Sequence, residues 1–134
     1  MTSGKKTRAG VNLKGYAGVA RANFLLLPFT LVAAGAAAAA FDGDFNLFHT
    51  LLALVGLLGL HAAVNALNEV SDFRRGIDLE TVRTPFSGGS GTLPSGVLRP
   101  HEGLGVAATG ALAGLAVGVY FLGAFGWRMV PIFL

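Results

Sequence analysis

The sequence has no cysteine and little charge. Without cysteine, neither a disulfide framework nor a thiolate metal site is possible. Charged residues make up 13% of the 134 positions, where a soluble domain carries roughly 25%, and hydrophobic residues make up 53%. No acidic residue occurs among the first 23 positions or after Glu102. These shortages exclude thiol chemistry and point away from a soluble domain.

The hydrophobic residues are gathered into three blocks, at residues 24–41, 47–67 and 104–125. Each block has about 20 residues without a charged side chain, enough for a helix to cross the roughly 30 Å hydrocarbon layer. We therefore predict an all-α, multi-span transmembrane helical bundle, with the start of a fourth apolar span at 129–134. The predicted organisation is a basic tail at 1–23 and a membrane domain at 24–134, with a loop at about 69–103.

The basic residues lie at the edges of these blocks, where membrane topology explains them better than nucleic-acid binding would. Those before the first block are Lys5, Lys6, Arg8, Lys14 and Arg21, and those between the second and third are Arg74, Arg75, Arg83 and Arg99. The turn between the first two blocks carries Asp42 and Asp44 instead. We expect the amino terminus and the 69–103 loop to be cytoplasmic, in the plasma membrane of a prokaryote. A cleaved signal peptide over the first block is the alternative, although 18 residues is long for a signal core.

The third block contains regularly spaced glycines and a cluster of aromatic residues. Gly110, Gly114 and Gly118 recur every fourth residue, which predicts close helix packing within one bundle. The aromatic residues near its end, beside Arg128, are predicted to anchor it at the membrane interface. They are Tyr120, Phe121, Phe125 and Trp127.

Polar side chains collect at the end of the second block, where burial in a membrane would be costly and function is the usual explanation. At 100° per helical residue, Asn65, Asn68, Glu69 and Asp72 fall within about 100° of arc, so they share one face. His61 lies on that face one turn deeper. Gly76 is predicted to end the helix, which allows Asp78 to fold back toward the same place.

Carboxylate and amide oxygens without cysteine suit a hard cation, and Mg²⁺ usually takes one or two protein carboxylates together with phosphate oxygens. The cluster therefore indicates a diphosphate site, with Arg83, Arg74 or Arg75 as hydrogen-bond donors. A solvated helix end of mixed charge explains the same composition. The residues alone leave both interpretations open.

The spacing of the cluster resembles that of the UbiA superfamily of intramembrane prenyltransferases. Those enzymes carry N-D-x-x-D and a further aspartate at the end of their second helix, and here Asn68 to Asp72 is followed by Asp78. The spacing is most similar to the branch that prenylates 1,4-dihydroxy-2-naphthoate, in which a second asparagine often stands where Asn65 stands here. Arg83 and Pro85, before the glycine-rich run 87–91, match a loop of the same family.

The resemblance implies roles for individual residues. Asn68 and Asp72 are the expected catalytic residues, and the expected Mg²⁺ ligands are Asn68, Glu69, Asp72 and Asp78. Asn65, Arg83 and Arg21 are the expected substrate-binding residues. Glu69 departs from the family pattern, which has an aspartate there, so its arm is longer.

The resemblance also implies a function, the transfer of a polyprenyl group from prenyl diphosphate to an aromatic acceptor, with Mg²⁺ as cofactor and the lipid bilayer as surroundings. Family members have about nine helices and a second aspartate-rich motif, so we expect this chain to be an amino-terminal fragment that is inactive alone. Other acceptors remain open, namely 4-hydroxybenzoate, homogentisate, a chlorophyll precursor or a glycerol phosphate, as does a small noncatalytic membrane protein. Prenyl length and oligomeric state cannot be read from the sequence.

Overall fold

Within the described part of the chain, all regular secondary structure is helical. A computed structural model describes residues 12–77 and 89–132. Its α-helices are α1 (Leu13–Val19), α2 (Leu26–Phe41), α3 (Leu47–Arg74) and α4 (Pro100–Phe125), with 3₁₀ segments at Ala22–Phe24 and Gly126–Ile132. Three stretches are long and apolar enough to cross a membrane: Ala22–Phe41, Leu47–Arg74 and Pro100–Val130. The predicted all-α, multi-span fold is confirmed.

Helix ends follow local side-chain chemistry. The Asn46 side chain accepts a hydrogen bond from the backbone N–H of His49 at 3.0 Å, which satisfies a free donor in the first turn of α3. Glu102 accepts one from the backbone N–H of Arg99 at 2.7 Å, next to Pro100 in the first turn of α4. Gly76, with φ of 77°, follows the end of α3 as predicted.

Helix α3 is longer than its apolar block. It contains 28 residues, which at 1.5 Å each span about 42 Å, more than the hydrocarbon layer of roughly 30 Å. The additional turns carry the polar cluster. Because α3 continues to Arg74 and α4 begins at Pro100, the connection between them is shorter at both ends than the predicted 69–103 loop.

Helices α3 and α4 form the main interface, and glycines allow their backbones to approach closely. A Cβ atom added to Gly59 would lie 2.8 Å from the carbonyl oxygen of Gly110. A Cβ atom on Gly114 would overlap the side chain of Leu60. The predicted packing role of Gly110 and Gly114 within the bundle is confirmed.

Aromatic side chains near the end of α4 pack around one histidine of α3. His49 Nε2 lies 3.2 Å from the Tyr120 hydroxyl, and the His49 ring contacts the rings of Phe121 and Phe125 at centroid distances of 5.7 and 5.3 Å. Trp127 is exposed. These aromatic contacts therefore hold α3 and α4 together, and the placement of the aromatic residues at a membrane interface stays a prediction.

The best-packed core lies at the other end of α3, beside its polar turns. The buried apolar side chains there come from α1, α3, the connection before α4, and α4 itself. They are Val19, Ala66, Val70, Leu93, Leu98 and Ala107. Helix α1 belongs to this core, so the predicted basic tail at 1–23 contains a packed element. The lysines and arginine at positions 5, 6 and 8 lie outside the described residues.

Candidate functional site

Four of the predicted site residues lie on the last turns of α3, as their spacing predicts, but their surroundings differ. Glu69 is fully buried, Asn65 and Asp72 are half-buried, and Asn68 is exposed. The polar face of α3 therefore has a packed edge and an accessible edge. One edge packs against the rest of the protein, and the edge with Asn68 and Asp72 keeps access to solvent.

Asn65 binds the chain at the end of α1. Its side-chain Nδ2 donates a hydrogen bond to the backbone carbonyl of Ala20 at 3.1 Å. Ala20 caps α1, and the next residue, Arg21, has a left-handed backbone with φ of 50° and ψ of 62°. Such a conformation is strained in a residue other than glycine, so the surrounding contacts must hold it. Asn65 supplies one of these contacts.

Glu69, one turn further along α3, holds the side chain of Arg21. Arg21 Nε lies 3.3 Å from Glu69 Oε2 and donates a hydrogen bond to it. The Glu69 side chain has no exposed surface, and that of Arg21 is 22% exposed. A buried carboxylate needs a cation and hydrogen-bond donors to offset its lost hydration. Arg21 provides that cation.

Ser90 supplies the remaining donors to Glu69. Its backbone N–H lies 2.9 and 3.0 Å from the two carboxylate oxygens, and its hydroxyl donates to Oε1 at 2.5 Å. The hydroxyl oxygen in turn accepts a hydrogen bond from the Thr92 N–H at 3.1 Å and lies 2.7 Å from the Thr92 hydroxyl. We call Arg21, Glu69, Ser90 and Thr92 the Glu69 network. Both oxygens of Glu69 accept hydrogen bonds within it.

The sequence did not single out Ser90 and Thr92 as functional residues. Glu69 has no lysine or arginine three or four residues away on its helix, so no ion pair within the helix is available to it. Ser90, inside the glycine-rich run, and Thr92, directly after it, are of residue types whose hydroxyls often form hydrogen bonds with nearby groups, and this was the signal in the sequence.

His61 is half-buried, and its Nε2 atom is buried without a hydrogen-bond partner among the described residues. Asp78 and Arg83 lie outside the described residues, as do residues 84–88. Within the described ranges, no group of three or more histidine, aspartate or glutamate side chains could hold a metal ion.

The donor types that remain accessible do fit Mg²⁺. Asn68 and Asp72 stand one helical turn apart and offer an amide oxygen and a carboxylate, the hard ligands that this ion prefers. Glu69, which lies between them in the sequence, holds Arg21 through the Nε atom. The other N–H groups of a guanidinium can donate hydrogen bonds to phosphate oxygens. The end of α3 can therefore combine cation binding with anion binding.

Comparisons with known proteins identify the family. The model of the UbiA prenyltransferase family matches residues 26–134, which includes α2, α3, α4 and the polar cluster. Searches of curated proteins and of solved structures find no match to this chain. The family match covers most of the chain and implies prenyltransferase activity in an integral membrane protein. The chain belongs to the UbiA prenyltransferase family.

Proposed function

We propose that this protein transfers a polyprenyl group from prenyl diphosphate to an aromatic acceptor, with 1,4-dihydroxy-2-naphthoate as the first choice of acceptor. The observation that carries the proposal is the position of Asn68 and Asp72, side by side on the accessible edge of the last turns of α3. The packed core immediately behind them keeps this end of the helix in place.

In the proposed site, Asn68, Asp72 and Asp78 would hold Mg²⁺, and Arg21 and Arg83 would bind the oxygens of the diphosphate. A bound Mg²⁺ supplies neutralisation of the negative charge that develops on the leaving diphosphate. The roles of Asp78 and Arg83 rest on the family resemblance. Glu69 is not included among the metal ligands, because both of its oxygens already accept hydrogen bonds from Arg21 and Ser90.

Asn65 supports this site from behind. Asn65 was predicted to bind substrate. Its hydrogen bond to Ala20 holds the turn that carries Arg21, so Asn65 can affect substrate binding through Arg21. We propose that Asn65 acts through this contact. Its effect on the reaction would then be on the position of the Arg21 guanidinium.

The reaction balances without an oxidant or reductant. The bond between the first prenyl carbon and the diphosphate oxygen breaks, and its electron pair leaves with the diphosphate. The allylic cation is attacked by an electron-rich ring carbon, and the ring then loses one proton. The protein's own contribution is to bind the diphosphate oxygens through the arginines, to provide cation ligands beside them through Asn68 and Asp72, and to exclude water that would capture the allylic cation.

The test is an assay of membranes containing the gene product, expressed from its complete reading frame. Radiolabelled prenyl diphosphates of several lengths are supplied with Mg²⁺ and, in separate reactions, with 1,4-dihydroxy-2-naphthoate, 4-hydroxybenzoate, homogentisate, a chlorophyll precursor or a glycerol phosphate. We expect labelled prenyl-naphthoate. Transfer to 4-hydroxybenzoate alone would correct the acceptor, and transfer to none of the aromatic or glycerol phosphate acceptors would favour the noncatalytic membrane protein.

A further inference from the structure

The Glu69 network joins two segments that are distant in sequence. Arg21 lies 48 positions before Glu69, at the strained turn between α1 and α2, and Ser90 lies 21 positions after it, at the end of the glycine-rich run 87–91. Both meet one carboxylate that is shielded from solvent. The two segments therefore reach the end of α3 through a shared contact.

The donors around Glu69 leave little reason to assign it to a metal. A carboxylate that binds a cation needs at least one oxygen directed at it, whereas here Oε1 accepts from the Ser90 hydroxyl and Oε2 from Arg21. The Ser90 hydroxyl oxygen accepts a hydrogen bond from the Thr92 N–H. Its single proton can therefore be donated to Glu69. Thr92 is itself buried. The network is thus complete with protein groups alone.

The length of the side chain matters to this arrangement. An aspartate at position 69, which the family pattern would place there, is shorter by one methylene, or about 1.5 Å. It would have to move by that distance to reach Ser90 and Arg21 together. The glutamate is therefore suited to bridging the two segments.

We infer that Glu69 is a positioning residue, which holds Arg21 and Ser90 so that the Arg21 guanidinium and residues 89–91 lie beside Asn68 and Asp72. This inference rests on the proposed function, because the bound group is the diphosphate of that reaction. Glu69 thereby serves phosphate binding without touching the substrate or the metal.

The experiment compares purified variants of the gene product in nanodiscs. Glu69→Gln removes the negative charge, and Glu69→Asp shortens the side chain by one methylene. Ser90→Ala removes the hydroxyl donor and leaves the carboxylate intact. The matched control is Ser95→Ala, because the Ser95 hydroxyl donates to backbone oxygens of Gly91 and Thr92 and not to Glu69. The measurements are binding of radiolabelled prenyl diphosphate, the Mg²⁺ concentration for half-maximal binding, and hydrogen exchange of the Ser90 amide.

We expect both Glu69 variants and Ser90→Ala to bind prenyl diphosphate about tenfold more weakly, since charge-assisted hydrogen bonds of this kind are lost. The Ser90 amide should exchange faster, and the Mg²⁺ requirement at saturating prenyl diphosphate should stay unchanged. Ser95→Ala should behave like the wild type. If the Glu69 variants fold poorly, Ser90→Ala tests the same contact alone.

Two results would overturn the inference. In the first, Glu69→Gln needs much more Mg²⁺ for half-maximal binding of prenyl diphosphate, while the Ser90 amide exchanges at the wild-type rate. That is the behaviour expected of a metal ligand such as Asp72. The other is no change in any of the three measurements. Failure of the proposed function is distinct: the wild type would not bind prenyl diphosphate, yet Ser90 exchange would still rise in Glu69→Gln.

Discussion

The side-chain amide of Asn65 donates a hydrogen bond to the backbone carbonyl of Ala20, and this bond joins the last turns of α3 to the end of α1. Asn65 and Glu69 are four residues apart, so they lie on the same side of α3 and hold consecutive residues, Ala20 and Arg21. The strained backbone of Arg21 is thus held on both sides by one helix.

Replacing Asn65 by aspartate should destabilise this junction. The introduced carboxylate would have nearly the same shape as the amide but no donor, and it would face the Ala20 carbonyl. We expect the free energy of unfolding to fall by about 1–3 kcal/mol, measured by thermal melting in detergent. Asn23→Asp is the control, because Asn23 is exposed and its replacement also adds one negative charge near Arg21. Equal melting temperatures for the two variants would contradict the role given to Asn65.

The α3–α4 crossing should be sensitive to a single methyl group at Gly110. A Cβ atom there would overlap the backbone oxygen of Gly59, whereas one at Gly105 would meet no atom within 4 Å. We expect Gly110→Ala to lower the free energy of unfolding by about 1–3 kcal/mol. Gly105→Ala, on the same helix, should leave it unchanged or raise it, because alanine favours the helix. A Gly110→Ala variant as stable as Gly105→Ala would show that the helices do not cross this closely.

The contact of α1 with the connection before α4 can be tested by a double-mutant cycle. A Cβ atom on Gly18 would overlap the hydroxyl oxygen of the buried Thr92. Gly18→Ala should therefore destabilise the protein, as should Thr92→Ala, which removes a partner of Ser90. The double variant should be more stable than the sum of the two effects predicts, because the overlapping atom is gone. If the changes in the free energy of unfolding were strictly additive, the two residues would not be in contact.

Much of this architecture could be predicted from local pattern. The three apolar blocks predicted the three long helices, and Gly76 predicted the end of α3. The four-residue glycine spacing predicted a close helix contact, though not that α3 is the helix that makes it. Each of these depends on residues close together in sequence. Helical periodicity also placed Asn65, Asn68, Glu69 and Asp72 on one face of α3.

The division of that face could not be predicted in the same way. Periodicity determines which side chains share a face, but not which element covers it. The cover comes from α1 and from Ser90, and the seven-residue α1, with two glycines in its sequence, gives a weak helical signal. The expectation that Glu69 binds Mg²⁺ came from the family resemblance, which does not show that the folded chain surrounds this carboxylate with Arg21 and Ser90.

Asp72 is the residue on which the proposed reaction depends most, and one measurement tests it directly: the rate of prenyl transfer by Asp72→Asn in membranes containing the gene product. We expect the rate to fall by roughly 10²- to 10³-fold, because an amide cannot replace the charge of a metal-binding carboxylate at the leaving group. Asp42→Asn, which removes the same charge at the exposed end of α2, should retain the wild-type rate. Near-normal prenyl transfer by Asp72→Asn would contradict the proposed site.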